Sequence, residues 1–136
     1  MIVCHSLGTV VVADLLRNQM RTGEQGRTLP IDLVTAGSPM RRLIVRLLPH
    51  RLPNPIEVRR ELSRGPLPVA RWFNAYRALD FVGMRLVSGD ACRDPERGIL
   101  ECPLLPRWHW PWGHSNYWSD PRFTRLVAER VVAPIL

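Results

Sequence analysis

The feature that most constrains this chain is a serine placed between two segments of different periodicity. The apolar run Ile2–Cys4 is typical of a buried strand, and it stops abruptly at His5 and Ser6. From Thr9 to Met20 the apolar residues recur at helical spacing. Ser6 is therefore predicted to lie at the apex of a strand, a sharp turn and a helix.

The segments that follow predict an α/β fold with a parallel sheet and flanking helices. Ile31–Ala36 has a strand pattern and is stopped by Gly37-Ser38-Pro39, so the order strand, helix, strand implies a parallel pair. Further strands are predicted at Val69–Tyr76 and Ile99–Leu105. With 136 residues, 46% of them hydrophobic, we expect a single domain with its own core.

Three other segments complete the prediction. Met40–Leu48 suits a short amphipathic helix, whereas Pro49–Pro68 holds five prolines and is predicted to be mostly extended or irregular. The last element is a helix that Ser119 or Asp120 caps, with Pro121 in its first turn. Its predicted apolar face consists of Phe123, Leu126, Val127 and Val131.

The net charge of +7 does not by itself predict nucleic-acid binding. All 19 basic residues are arginines, they are scattered through every segment, and no nucleic-acid-binding motif accompanies them. We therefore expect no nucleic-acid partner, while acidic substrates or an acidic partner surface stay open. The apolar runs are too short to cross a bilayer and no signal peptide is visible, so a cytoplasmic location is expected.

The cysteines and the amphipathic segment each leave two interpretations open. Cys4, Cys92 and Cys102 lack metal-ligand spacing, so no metal site is predicted. Cys4 is expected to be a small buried hydrophobe, and Cys92 and Cys102 either pair in an oxidising compartment or stay free thiols. Met40–Leu48 is compatible with a lid or a membrane-surface helix, but a helix that packs one face and solvates its arginines is favoured, so membrane contact is not expected.

The segment around Ser6 resembles the nucleophile elbow of the α/β-hydrolases, usually written G-x-S-x-G. The strained turn of that elbow needs small residues on both sides of the serine. Gly8 satisfies one of these positions, and Cys4, which is still small, replaces the other glycine.

Two later segments extend this resemblance to the lipase and esterase branch over nearly the whole chain. The stretch from Trp72 to Asp80 is similar to the W-x-N-x-Y-x-x-x-D segment in which such enzymes place their acid. Gly113-His114-Ser115-Asn116-Tyr117 resembles the histidine loop that precedes the terminal helix. The order serine, aspartate, histidine along the chain is the order of this family.

The resemblance implies a role for each residue of a Ser6–Asp80–His114 triad. Ser6 would attack an ester carbonyl after His114 removes its proton, and Asp80 would orient the imidazole. The backbone N–H of Leu7 would donate one hydrogen bond to the oxyanion. The implied substrate is a small-molecule or lipid ester, and no cofactor or metal is implied.

Each of these roles has a competing interpretation. Ser6 could simply cap the helix that follows it. Asp90 and Asp94 compete with Asp80, although Asp80 fits the family pattern best, and His109 competes in the same way with His114. His5 is expected to be structural, with its side chain pointing away from substrate. Four tryptophans are expected either to line a pocket near His114 or to pack the loop, namely Trp108, Trp110, Trp112 and Trp118.

The length makes the expected fold a partial one. An α/β-hydrolase domain has about 250 residues and several strands before its elbow. We therefore expect residues 1–136 to be a single truncated domain, the C-terminal half of a longer enzyme. Its first strand would be an exposed sheet edge that favours self-association. Activity of the chain alone would be low, because losing an oxyanion donor costs about 3 kcal/mol. The alternative is a non-catalytic remnant that binds a partner through this edge.

Overall fold

A four-stranded parallel sheet is the centre of the molecule. The computed structural model describes residues 1–22, 29–48, 54–64, 68–87, 98–105 and 112–132. The strands follow one another across the sheet in the order of the chain, and each pairs in parallel with the next. They are β1 (Ile2–His5), β2 (Ile31–Ala36), β3 (Val69–Arg77) and β4 (Leu100–Leu104).

The helices connect or follow these strands. The helix after Ser6 begins two residues earlier than predicted, and the predicted amphipathic helix forms as a π-helical turn, Met40–Ile44, that continues into α2. A short 3₁₀ turn, Trp112–His114, precedes the last helix. The helices are α1 (Leu7–Thr22), α2 (Val45–Leu47), α3 (Pro55–Leu62) and α4 (Pro121–Val132).

Apolar clusters cover both faces of the sheet. On one face, Leu33 and Trp72 of the central strands pack with the buried residues of α1 and α3. On the other face, Val34 and Phe73 pack with Phe123 of α4. Parallel sheets are normally covered on both sides in this way, which is why β2 and β3 are almost entirely buried. The predicted α/β class with a parallel sheet is confirmed.

The prediction that Pro49–Pro68 is irregular was wrong for its central part, which forms α3. Asn54 caps this helix, because its Oδ1 accepts hydrogen bonds from the backbone N–H groups of Ile56 and Glu57 at 3.0 and 3.1 Å. Pro55 occupies the first helical position, where a missing N–H costs nothing. Pro55 therefore marks a helix start rather than a helix break.

The last helix begins as predicted but buries less of its apolar face. The Oδ1 of Asp120 accepts a hydrogen bond from the N–H of Arg122 at 3.0 Å, so Asp120 is the cap and Pro121 the first helical residue. Phe123 is fully buried, whereas Val131 is 68% exposed. In the part of the chain that the structure describes, the predicted apolar face is therefore covered at Phe123 and open to solvent at its final turn.

The described helices give no candidate for a membrane span. None of them combines the length and the apolar character that crossing a bilayer requires.

Candidate active site

Ser6 lies in a strained turn between β1 and α1. Its φ is +53°, a left-handed backbone conformation that residues other than glycine rarely adopt. The Ser6 N–H donates to the carbonyl of Ala36 at 2.9 Å, and the Ser6 carbonyl accepts from the N–H and the hydroxyl of Thr9 at 3.0 and 2.7 Å. These contacts hold the unfavourable backbone conformation of the serine in place.

The two small residues beside Ser6 fit each other. A Cβ added to Gly8 would lie 4.0 Å from the Cβ of Cys4, so the helix and the strand pass close together here. This is an ordinary van der Waals distance, so a small side chain at position 8 would also fit beside Cys4. Cys4 is buried, and burial raises the pKa of its thiol to about 12. At neutral pH this thiol is protonated and a poor nucleophile.

Asp80 is buried just after β3 and accepts hydrogen bonds from four residues. Its Oδ1 accepts from the backbone N–H groups of Val82 and Gly83 at 3.0 and 2.8 Å. Its Oδ2 accepts from the hydroxyl of Tyr117 at 2.9 Å and from His114. Burial alone would raise the pKa of Asp80, but these hydrogen bonds together lower it below its usual value. Asp80 is therefore a carboxylate.

His114 lies between Asp80 and Ser6 and contacts both. Its Nδ1 is 2.9 Å from Asp80 Oδ2 and 3.1 Å from Oδ1, and its Nε2 is 2.7 Å from Ser6 Oγ. An ionised carboxylate only accepts hydrogen bonds, so Nδ1 carries the proton. In the neutral ring Nε2 is then free to accept the hydroxyl proton of Ser6.

Arg77, the last residue of β3, ties down the loop that carries His114. Its guanidinium donates to the carbonyls of Gly113 and Asn116 and to the carboxylate of Asp120, the last two at 2.9 Å. It also lies 4.5 Å above the centre of the Tyr117 ring. Burial raises the pKa of Asp120, but the hydrogen bond from Arg77 and others outweigh it, and the net shift is downward. We did not identify Arg77 from the sequence.

Two glycines let the loop after β2 approach the acid and the histidine. Gly37 has a φ of +56°, and a Cβ on it would lie 2.9 Å from Tyr117 Cε2 and 3.2 Å from His114 Cε1. A Cβ on Gly83 would lie only 2.2 Å from the Cα of Gly37. A side chain at position 83 would therefore push the backbone of one loop away from the other, and one at position 37 would displace the side chains of Tyr117 and His114.

A half-buried carboxylate fixes the loop that follows Asp80. The Oε1 of Glu101, on β4, accepts from the N–H groups of Leu86 and Val87 at 2.6 and 2.8 Å. Its Oε2 accepts from Asn74 at 2.8 Å. Burial raises the pKa of Glu101 in spite of these hydrogen bonds. In the sequence, Asn74 belongs to the W-x-N-x-Y-x-x-x-D segment. In the structure, its side chain donates to Glu101 and so joins β3 to β4.

His5 supports the backbone of the histidine loop. Its Nε2 is 2.7 Å from the carbonyl oxygen of His114, and the two imidazole rings are 5.0 Å apart. Burial lowers the pKa of His5, so the neutral ring donates this hydrogen bond. This contact agrees with the structural role expected for His5.

Leu7 is the first residue of α1, so its backbone N–H has no acceptor within the helix. It directly follows Ser6 and is available to an oxyanion formed there.

The remaining predicted residues are either peripheral or outside the described ranges. Trp118 is 52% exposed and packs against Phe123 with their ring centres 5.3 Å apart. Cys102 is a free thiol, half-buried, and burial raises its pKa to about 11. Outside the described residues lie Asp90, Asp94, His109, Cys92, Trp108 and Trp110. Among the residues that are described, no group of three or more histidine, cysteine or acidic side chains could hold a metal ion.

Comparisons of the chain with protein-family models, with curated proteins and with solved structures found no match. The geometry of Ser6, His114 and Asp80 is therefore the basis for assigning a function.

Proposed function

We propose that this chain is a serine hydrolase of carboxylic esters, built on part of an α/β-hydrolase fold. The observation that carries the proposal is the unbroken chain of hydrogen bonds from Ser6 Oγ through the His114 ring to Asp80. A nucleophile, a base within hydrogen-bond reach and a third group that orients the base are the parts that acyl transfer requires.

The position of these residues in the sheet supports the same proposal. Ser6 follows β1, Asp80 follows β3 and His114 follows β4, so all three come from the carboxyl ends of parallel strands. In open α/β sheets this edge is where ligands bind. The left-handed serine between a strand and a helix is the turn expected of a nucleophile elbow.

The reaction proceeds in two acyl transfers. His114 Nε2 takes the Ser6 hydroxyl proton as Oγ attacks the ester carbonyl, and the N–H of Leu7 donates to the oxyanion. His114 then gives this proton to the leaving alcohol, which leaves an acyl group on Ser6. Water, deprotonated by His114, releases the acid and restores the serine. Asp80 stays ionised and stabilises the imidazolium of each step.

Removing the nucleophile tests this proposal directly. We expect Ser6→Ala to reduce hydrolysis of p-nitrophenyl butyrate to the uncatalysed background, because the remaining groups cannot form an acyl-enzyme. The matched control is Ser63→Ala, which removes an exposed hydroxyl at the end of α3 and should leave the rate unchanged.

Covalent labelling provides a second readout that does not depend on a high turnover. A fluorophosphonate should modify the wild-type chain on the peptide that contains Ser6 and should leave Ser6→Ala unmodified. Equal hydrolysis by Ser6→Ala and the wild type, or labelling at another serine, would contradict the proposal.

The edge of the sheet supports a second candidate, association through β1. This strand pairs only with β2 among the described strands. Beside it, α1 exposes a stripe of apolar residues at helical spacing, Leu7, Val11 and Leu15, each at least half exposed. A free edge beside an apolar stripe favours pairing with another strand. Size-exclusion chromatography with light scattering tests it, and a stable monomer at high concentration would count against it.

A further inference from the structure

A cleft of about 360 Å³ opens beside the loops that carry the candidate site. Among the described residues, four arginines and Met84 line it. The arginines come from two segments, the one that follows β2 and the one that follows Asp80. They are Arg41, Arg42, Arg46 and Arg85. This volume lies within the range of small-molecule pockets, about 300–1,000 Å³.

The backbone of the first segment gathers three of these arginines. A π-helical turn, Met40–Ile44, is closed by a hydrogen bond from the N–H of Ile44 to the carbonyl of Pro39 at 3.3 Å. Such a wide turn brings residues four and five apart to the same side, and Arg46 follows Arg42 by four residues. Turns of this kind are uncommon and occur frequently at functional sites.

The arginines of this segment have no acidic partner in the described part of the chain. No carboxylate there lies within 4 Å of Arg41, Arg42 or Arg46. Arg42 donates to the thioether of Met84 at 3.2 Å, which is a weak acceptor. Gathering like charges is unfavourable, and an anion bound between them would relieve their repulsion.

Arg85 is held in position on the other side of the cleft. Its guanidinium donates to the hydroxyl of Tyr76 at 3.0 Å and lies 5.6 Å from the centre of that ring. The N–H of the next residue, Leu86, is anchored by Glu101. The loop that presents Arg85 is therefore fixed to the sheet.

The cleft is close enough to the candidate triad to share one substrate with it. A Cβ on Gly83 would lie 2.2 Å from Gly37 Cα, and a Cβ on Gly37 would lie 3.2 Å from His114 Cε1. Since Met84 follows Gly83 directly, its Cα lies within about 12 Å of the His114 ring.

We propose that this arginine cleft binds an anionic group, a carboxylate or a phosphate, on the part of the ester that does not react. This inference rests on the proposed function and specifies its substrate class, an ester with a negative charge remote from the scissile bond. Guanidinium groups suit such a ligand because they stay charged and donate in pairs to carboxylate or phosphate oxygens.

Matched esters test the preference. The half-esters of p-nitrophenol with succinate, adipate and suberate carry a terminal carboxylate, and the butyrate, hexanoate and octanoate esters are neutral counterparts. We expect the wild type to favour one half-ester over its counterpart by about tenfold or more in kcat/KM, since hydrogen bonds to charged groups are strong. Added salt should reduce this preference.

The double variant Arg42→Gln/Arg46→Gln should lose that preference and keep its kcat on the neutral esters. The control is Arg125→Gln, which removes an exposed charge on α4, across the sheet from the cleft, and should keep the preference. Equal preference in the wild type and the double variant would overturn the proposal.

A binding measurement separates this inference from the hydrolase proposal. Calorimetry with inorganic phosphate and Ser6→Ala should show saturable binding that Arg42→Gln/Arg46→Gln abolishes. If phosphate binds but no ester is hydrolysed in a Ser6-dependent way, the hydrolase proposal fails and the anion site stands. If esters are hydrolysed without charge preference and phosphate does not bind, only the anion site fails. Sedimentation with phosphatidylglycerol vesicles without phosphate binding would assign the arginines to a lipid surface and also overturn this proposal.

Discussion

The serine turn and the histidine loop bring Ser6 and His114 together, but different contacts hold the two segments in place. The turn is built from neighbours in sequence and in the sheet, since Ser6 contacts Thr9 of its own helix and Ala36 of the adjacent strand. The loop around His114 depends on side chains from far along the chain, chiefly Arg77 and Asp80. The serine turn therefore needs one neighbouring strand besides its own strand and helix, whereas the histidine loop depends on side chains at and just after the end of β3.

This contrast teaches where the candidate site is vulnerable. In the serine turn the only unusual requirement is a left-handed backbone and small neighbours. In the histidine loop, buried charges and hydrogen bonds must all be satisfied together, and each lost partner leaves another group unpaired. We therefore expect substitutions at the loop's supports to cost more than comparable changes at the turn.

The largest effect on activity is expected from Asp80→Asn, which removes the negative charge that orients His114 toward Ser6. An amide keeps the shape but favours the wrong tautomer of His114, so kcat should fall by about 10⁴-fold while the fold survives. Ester hydrolysis measures the loss, and circular dichroism checks the fold. A rate near that of the wild type would show that His114 does not act through Asp80.

The same variant has a defined effect on stability against pH. Because the pKa of folded Asp80 lies below its usual value of 3.8, the ionised group stabilises the fold above that pH. The contribution is lost as the pH falls through the lower folded pKa. Urea denaturation should therefore show a stability difference between the wild type and Asp80→Asn near neutral pH that narrows only below about 3.8. A difference that disappears at higher pH would contradict the lowered pKa.

The next effect is expected from Arg77→Met, which removes the anchor of the histidine loop. Asp120, 7% exposed in its side chain, would lose its buried cation. Breaking a buried pair from one side costs about 3–5 kcal/mol. Denaturation should show this loss, whereas Arg125→Met on the exposed side of α4 should change stability by less than about 0.5 kcal/mol. Equal stability of the two variants would show that Arg77 does not anchor the histidine loop.

A pair of glycine substitutions compares the two regions directly. Gly37→Ala should cost about 2–4 kcal/mol, because its φ is left-handed and its Cβ would meet Tyr117 and His114. Gly8→Ala should be neutral or stabilise by up to about 1 kcal/mol, since its Cβ would have an ordinary contact with Cys4 in a helix. Thermal denaturation measures both. The reverse order would mean that the serine turn is the more tightly packed region.

The smallest effect is expected from Tyr117→Phe. The variant loses a hydrogen bond to Asp80 and leaves the buried N–H of Arg77 without its acceptor, at a cost of about 1–3 kcal/mol. The pKa of Asp80 should also rise, because one of the hydrogen bonds that lowers it is gone. Denaturation across the acid range detects both changes, and an unchanged profile would exclude Tyr117 as a support of Asp80.

The sequence predicted the strands better than the segments rich in proline. Periodicity located β2 at the predicted residues, and β1, β3 and β4 within a residue at most of their ends, because alternating or continuous apolar runs reflect burial in a sheet. It missed α3, since the prolines were taken as breaks although Asn54 and Pro55 form a helix start.

The candidate site was predicted in part. Ser6, Asp80 and His114 were proposed from motifs and chain order, and in the structure they form one hydrogen-bonded chain. The supports, Arg77 and Glu101, were not proposed, because an arginine in a strand and a glutamate in a short strand carry no local signal of burial.

The sequence by itself therefore determined the strand, turn and helix around Ser6, the parallel pairing of the first two strands and the start of the last helix. These follow from the periodicity and conformational preferences of neighbouring residues. Only the tertiary structure decided which side chains hold His114 against Ser6 and which arginines line one cleft. Those contacts join residues distant in the chain, and they exist because β3 lies between β2 and β4 and brings their ends together.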